Sequence, residues 1–122
     1  MNLTIRTAGA RREFEPGEML AGEFEWQLDQ PAKSLELHLL WFTRGKGTQD
    51  VKVVDQQRLD SPPLRGERSF SFTLPAEPYS FSGRLISLVW ALELVAEPGG
   101  ETERLEFTCA PGGHETVLEP AQ

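Results

Sequence analysis

A chain of 122 residues has the length of one domain and buries roughly two-thirds of the surface its unfolded form exposes, enough for a core without staples. With 39% hydrophobic residues, seven Phe and three Trp, it is not a disordered composition, and its net charge of −7 argues against phosphate backbones and anionic lipids as partners. The one cysteine, Cys109, rules out an intrachain disulfide, and the first residues, Met1 to Arg6, form no apolar signal region, so the expectation is a soluble, cytoplasmic protein.

In chain order, Pro16-Gly17 breaks the backbone ahead of the first strong pattern. Leu20, Gly22, Phe24, Trp26 and Leu28 then alternate with Ala21, Glu23, Glu25 and Gln27, a period of two that gives a strand one apolar and one wet face. After Asp29-Gln30-Pro31, Leu35 to Phe42 is apolar on both faces, as in a central strand. Gly45-Lys46-Gly47 turns it into a hairpin, and alternation slips at Val53-Val54, which predicts a β-bulge. Beyond Ser61-Pro62-Pro63, Phe70, Phe72 and Leu74 alternate with Ser and Thr, and Pro75 to Gly83 reads as a rigid crossover. Leu85 to Val95 is long enough for a helix, but its even positions, Ile86, Leu88, Trp90, Leu92 and Leu94, are uniformly apolar, which predicts a second central strand. Ser87 and Glu93 interrupt it, and it falls short of the ~20 residues a membrane-spanning helix needs. Pro98-Gly99-Gly100 leads to the alternating Leu105, Phe107 and Cys109. The reading is an all-β, immunoglobulin-like antiparallel sandwich of seven to eight strands over residues 1–110. Residues 111–122 form a tail in which Thr116-Val117-Leu118 adds a short edge strand.

Candidate chemistry is sparse. Two histidines, His38 in an apolar strand and His114 in the tail, and one cysteine do not make a ligand set, so no metal or other cofactor is expected. No G-x-S-x-G elbow occurs, and Cys109 continues the buried alternation of its strand. Glu23 and Glu25 lie on a wet strand face, where solvation accounts for them. Arg44 and Lys46 make a basic tip suited to an anionic or partner contact, with a solvated hairpin turn as the plainer reading. Trp26, Trp41 and Trp90 fall in the apolar register of their strands and are expected in the core, not on a sugar-binding platform.

Two stretches carry a family resemblance. Phe14-Glu15-Pro16-Gly17-Glu18, an apolar residue and Gly22 in the next strand form the first. The second runs Phe70-Ser71-Phe72-Thr73-Leu74-Pro75, then Pro78-Tyr79-Ser80-Phe81-Ser82-Gly83, then a long apolar strand. In this order and separation they resemble the arrestin-like sandwich of arrestins, the retromer Vps26 subunit and bacterial sporulation-control relatives. The resemblance implies one such sandwich where arrestins carry two. Pro16, Gly17, Glu18, Gly22, Pro75, Phe81 and Gly83 would be its structural motif, and its role would be a protein-interaction scaffold.

The functional expectation is therefore a non-enzymatic protein-binding module, of bacterial type, that holds a protein partner through strand edges and loops. Open edges also suit a homodimer. The alternative is a carbohydrate- or small-ligand-binding sandwich, which needs an exposed tryptophan.

Overall fold

The computed structural model describes residues 1–45, 49–83 and 85–114, together with the backbone of 116–117. Seven strands have six residues or more: β1 (Asn2–Thr7), β3 (Met19–Gln27), β4 (Ser34–Gly45), β5 (Val51–Asp60), β6 (Arg65–Thr73), β8 (Ile86–Glu97) and β9 (Glu101–Cys109). Three two-residue strands complete the set: β2 (Glu13–Phe14), β7 (Phe81–Ser82) and β10 (Thr116–Val117). No helix of the described residues is long and apolar enough to cross a membrane.

The strands form two layers. The smaller sheet has the order β1-β3-β6, antiparallel throughout. The larger is built on β5-β4-β8, and the free edge of β8 is shared. Its first residues pair with β7 (Phe81 opposite Leu88), and from Trp90 onward it pairs with β9. The antiparallel expectation has two short exceptions. β2 runs parallel to β9 and β10 parallel to β7, because each joins the sheet after crossing from elsewhere and not by a hairpin. The predicted bulge is present: Leu39 faces Asp55 and Leu40 faces Val53, leaving Val54 without an opposite residue.

Alternation decides which side chains meet between the layers. Leu20, Phe24, Trp26 and Leu28 of the first patterned segment pack with Leu35, Leu37 and Leu39 of β4, Phe70 and Phe72 of β6, and Leu88, Trp90, Leu92 and Leu94 of β8. Leu85–Val95 is thus strand, from Ile86 onward, as its even positions predict. Two tryptophans close their polar ends inside the core: Trp26 Nε1 donates to the Pro63 carbonyl at 2.8 Å and Trp90 Nε1 to the Pro78 carbonyl at 3.0 Å. A buried indole N–H without a partner would be costly, and both prolines supply their carbonyls from the connections between strands.

The motif residues hold the seams. Glu15 to Glu18 form a turn in which the Glu18 N–H donates to the Glu15 carbonyl, with Gly17 at φ +83° in the position a type II turn reserves for glycine. The Glu18 carbonyl in turn accepts the Leu74 N–H at 2.9 Å, so the Pro-Gly-Glu turn and the Leu-Pro strand end are bonded to one another. Gly22 leaves no room for a side chain, since a Cβ there would lie 2.0 Å from the Arg6 carbonyl oxygen. In the crossover, Ser80 is buried and clamps β9 twice: its N–H donates to the Cys109 carbonyl and its hydroxyl accepts the Cys109 N–H. Phe81 packs against the core, and Gly83 follows half-buried at the end of the crossover.

Candidate functional site

A sandwich with one solvated sheet face should be polar there, and most of the outer surface is. The smaller sheet presents Arg6, Glu23, Glu25 and Glu67 to water, with Arg6 Nη2 2.7 Å from Glu25 and 3.6 Å from Glu67. Glu25 and Glu67 are opposite each other across β3 and β6. Hydrogen bonding to Glu25 and Glu23 pushes the Glu67 carboxyl up to about 7, while Arg6 holds Glu25 below the usual range.

The larger sheet departs from this rule. On its outer face Leu40, Phe42 and Ala91 are buried with Val89 packed beside them, a second apolar cluster apart from the main core. β4 and β8 are apolar on both faces because each serves both clusters. The register explains the grouping: Phe42 lies opposite Val89 and Leu40 opposite Ala91 across β4 and β8. On the other flank Phe42 faces Val51 and Leu40 faces Val53.

Arginines roof this cluster. The guanidinium carbon of Arg104 lies 4.7 Å and that of Arg44 5.3 Å from the centre of the Phe42 ring, within reach of a cation–π contact. Each is anchored by a carboxylate: Arg44 to Glu106 at 2.6 Å, and Arg104 through Nε and Nη2 to Glu93 at 3.0 and 2.6 Å. Beside them a shallow depression of about 340 Å³ is lined by Arg12, Arg44, Ser82, Ser87, Val89 and Glu106, among others. Arg12 Nη1 donates to the Glu106 carbonyl at its floor. The result is an apolar patch under charged, hydrogen-bonding side chains, a composition that suits a protein surface better than a reactive centre.

Arg44, the candidate contact residue of the β4–β5 tip, therefore belongs to this face, exposed at the end of β4. Lys46, its companion in the tip, lies outside the described residues. Sequence reasoning missed Arg12, Arg104 and Glu106, which come from β9 and the segment before β2. For Arg104 and Glu106 the only local signal was an arginine among glutamates in Glu101 to Glu106. A larger depression of about 490 Å³ lies near Arg11, Phe14, Glu15 and Gly113. Its polar groups are engaged within the fold, Arg11 with Glu18 and the Glu15 carboxylate with the Gly112 N–H.

The remaining candidates are placed as follows. Trp26 and Trp90 are buried, and Trp41 is half-buried against the core, its ring on the side facing the smaller sheet. His38 lies half-buried on the outer face, 3.2 Å from Glu36. His114 is exposed, its Nδ1 3.9 Å from Glu13. Cys109 is fully buried, and burial pushes its thiol up to about 11. Among the described residues no three His, Cys, Asp or Glu side chains gather as a metal site.

The two-layer topology, the Pro-Gly-Glu turn bonded to the Leu-Pro strand end, and the crossover clamped on β9 define an arrestin-like β-sandwich. The chain is similar in structure to Spo0M, the sporulation control protein of Bacillus subtilis, with a TM-score of 0.61 over 89% of its own length at 15% identity. It spans 49% of that protein. Structures of a beta-glucosidase from Listeria innocua also align, at a TM-score of 0.47 or lower and over 16% of the enzyme. No protein-family profile and no curated protein matches the chain by sequence.

Proposed function

We propose that this chain is a non-enzymatic, cytoplasmic interaction module whose single arrestin-like domain, residues 1–110, holds a protein partner on the outer face of the larger sheet. The observation that carries the reading is the apolar cluster of Leu40, Phe42, Val89 and Ala91 on a face that has no second layer among the described residues. Two arginines lie over Phe42 there. Arg44 and Arg104 are the contact residues: a partner that supplies acidic groups can take over their charge while its apolar side chains meet Phe42. The likeness in fold to a sporulation control protein supports a regulatory role of this kind. A sealed Cys109 and a Ser80 hydroxyl committed to a backbone N–H support the absence of nucleophilic chemistry. The strand edges are open to a partner's segment.

Cross-linking in lysate followed by mass spectrometry tests the reading. The variant carrying both Arg44→Glu and Arg104→Glu should lose the captured protein. Its melting temperature should stay within a few degrees, because exposed ion pairs contribute at most about 1 kcal/mol each. Equal loss on reversing Arg6 instead, on the far face, would refute the placement.

A further inference from the structure

We infer that the free edge of β5 takes an extended, basic segment of a partner protein as an added strand, with apolar residues at two alternate positions of that segment. This rests on the interaction-module reading above and adds, at the β5 edge, a second contact to the acidic one made with Arg44 and Arg104.

β5 runs for ten residues, and every one of them except Gln57 and Leu59 is exposed. Its hydrogen bonds to β4 fix which backbone groups are left over. The Thr43 N–H donates to the Asp50 carbonyl at one end and the Ser61 N–H to the Lys33 carbonyl at the other. Antiparallel strands exchange bonds at every second residue. Counting by twos along the register makes Val51, Val53, Gln56, Arg58 and Asp60 the residues whose N–H and C=O point away from β4. One outward group is already met from within: Asp55 Oδ1 accepts the Gln56 N–H at 2.8 Å. The rest form a row of backbone donors and acceptors of the kind that accepts another strand.

Side chains say what that strand carries. Val51 is 63% and Val53 44% exposed, yet they stand beside Phe42 and Leu40 of the outer-face cluster. An added strand, about 4.8 Å away, extends these two rows by one residue each and covers the valines. Its apolar residues must therefore be two apart. Lys52, Asp55 and Gln57 of β5 point to the other face and call for polar partners.

Charge selects the segment. Along β5, Asp55 and Asp60 balance Lys52 and Arg58, and Arg58 already pairs with Asp60 at 2.7 Å, so the bias comes from the wider surface. The whole chain carries −7. A second copy brings that same charge and is repelled, whereas a segment bearing lysine or arginine is attracted.

The test uses the intact chain and a synthetic ten-residue peptide alternating threonine and valine with a lysine at each end. Amide exchange and NMR shifts should show Val51, Val53 and Arg58 protected on adding the peptide. Val53→Pro deletes one outward N–H while leaving the bonds to β4 in place, and should weaken binding about tenfold. A peptide N-methylated at alternate amides, which leaves the protein untouched, should lose binding in the same way. Each of these results overturns the inference: peptide binding unaffected by Val53→Pro, protection confined to β1 or β6, or protection of the β5 amides in concentrated protein without peptide. A peptide that protects no strand edge also overturns it. In each case the module reading is judged separately, by whether Arg44→Glu with Arg104→Glu abolishes capture.

Discussion

Replacing Trp90 with phenylalanine probes the joint between the core and the crossover. Trp90 is fully buried in β8, and its indole N–H reaches out of the core to the Pro78 carbonyl. Phenylalanine keeps the ring against Phe107, whose centroid lies 6.1 Å away, but removes the donor and part of the volume. Leaving the Pro78 carbonyl short of its donor costs about 1–3 kcal/mol, and the partly filled space adds about 1–2 kcal/mol. The combined loss is about 2–5 kcal/mol. At an unfolding entropy near 2.1 cal/mol/K per residue, that lowers the melting temperature of a chain of this length by about 8–20 °C. Differential scanning calorimetry on Trp90→Phe measures it directly, and Trp26→Phe, which loses the matching bond to Pro63, should fall in the same range. A drop below about 3 °C would mean that the Pro78 carbonyl bond and the tight fit around Trp90 do not anchor the crossover.

Two further perturbations address other parts of the fold. Gly22→Ala should destabilise by about 3 kcal/mol or more by forcing β1 away from β3, since the added Cβ meets the Arg6 carbonyl oxygen at 2.0 Å. Urea unfolding checks it, and a loss under about 1 kcal/mol would show that the strands yield. Glu67, with its carboxyl raised from 4.5 to about 7, favours the protonated form in the folded state. The stability this contributes is full below pH 4.5 and disappears as pH rises through about 7. Glu67→Gln, which cannot ionise, should flatten the fall in melting temperature between pH 5 and 8, and parallel curves for the two proteins would refute the coupling to Glu25.

Much of the fold is written locally. The period of two in Leu20 to Leu28 specifies β3 and its buried face, and the doubled Val53-Val54 marks the bulge because an extra residue must break alternation. The both-face apolarity of Leu35–Phe42 and Leu85–Val95 announces central strands. It does not say that Leu40 and Phe42 belong to a separate cluster, because strand patterning cannot tell a covered outer face from an inner one. Arg104 reaches Phe42 only through the β4-β8-β9 pairing, and no local spacing encodes such a neighbour. Glu23 and Glu25 read as solvated, which they are, yet their effect on Glu67 depends on the β3–β6 register. The change of partner along β8, from β7 to β9, is likewise a property of the assembled sheet.

The bond from the Leu74 N–H to the Glu18 carbonyl makes two distant phrases of the sequence parts of one object. Neither a proline-glycine turn nor a strand ending in Leu-Pro is distinctive alone, but a chain that folds this way must bring both to the same seam. Where overall identity is as low as that to the Bacillus subtilis protein, the joint occurrence of the two, in this order and with a long gap between them, is what a search for further chains of this architecture should score.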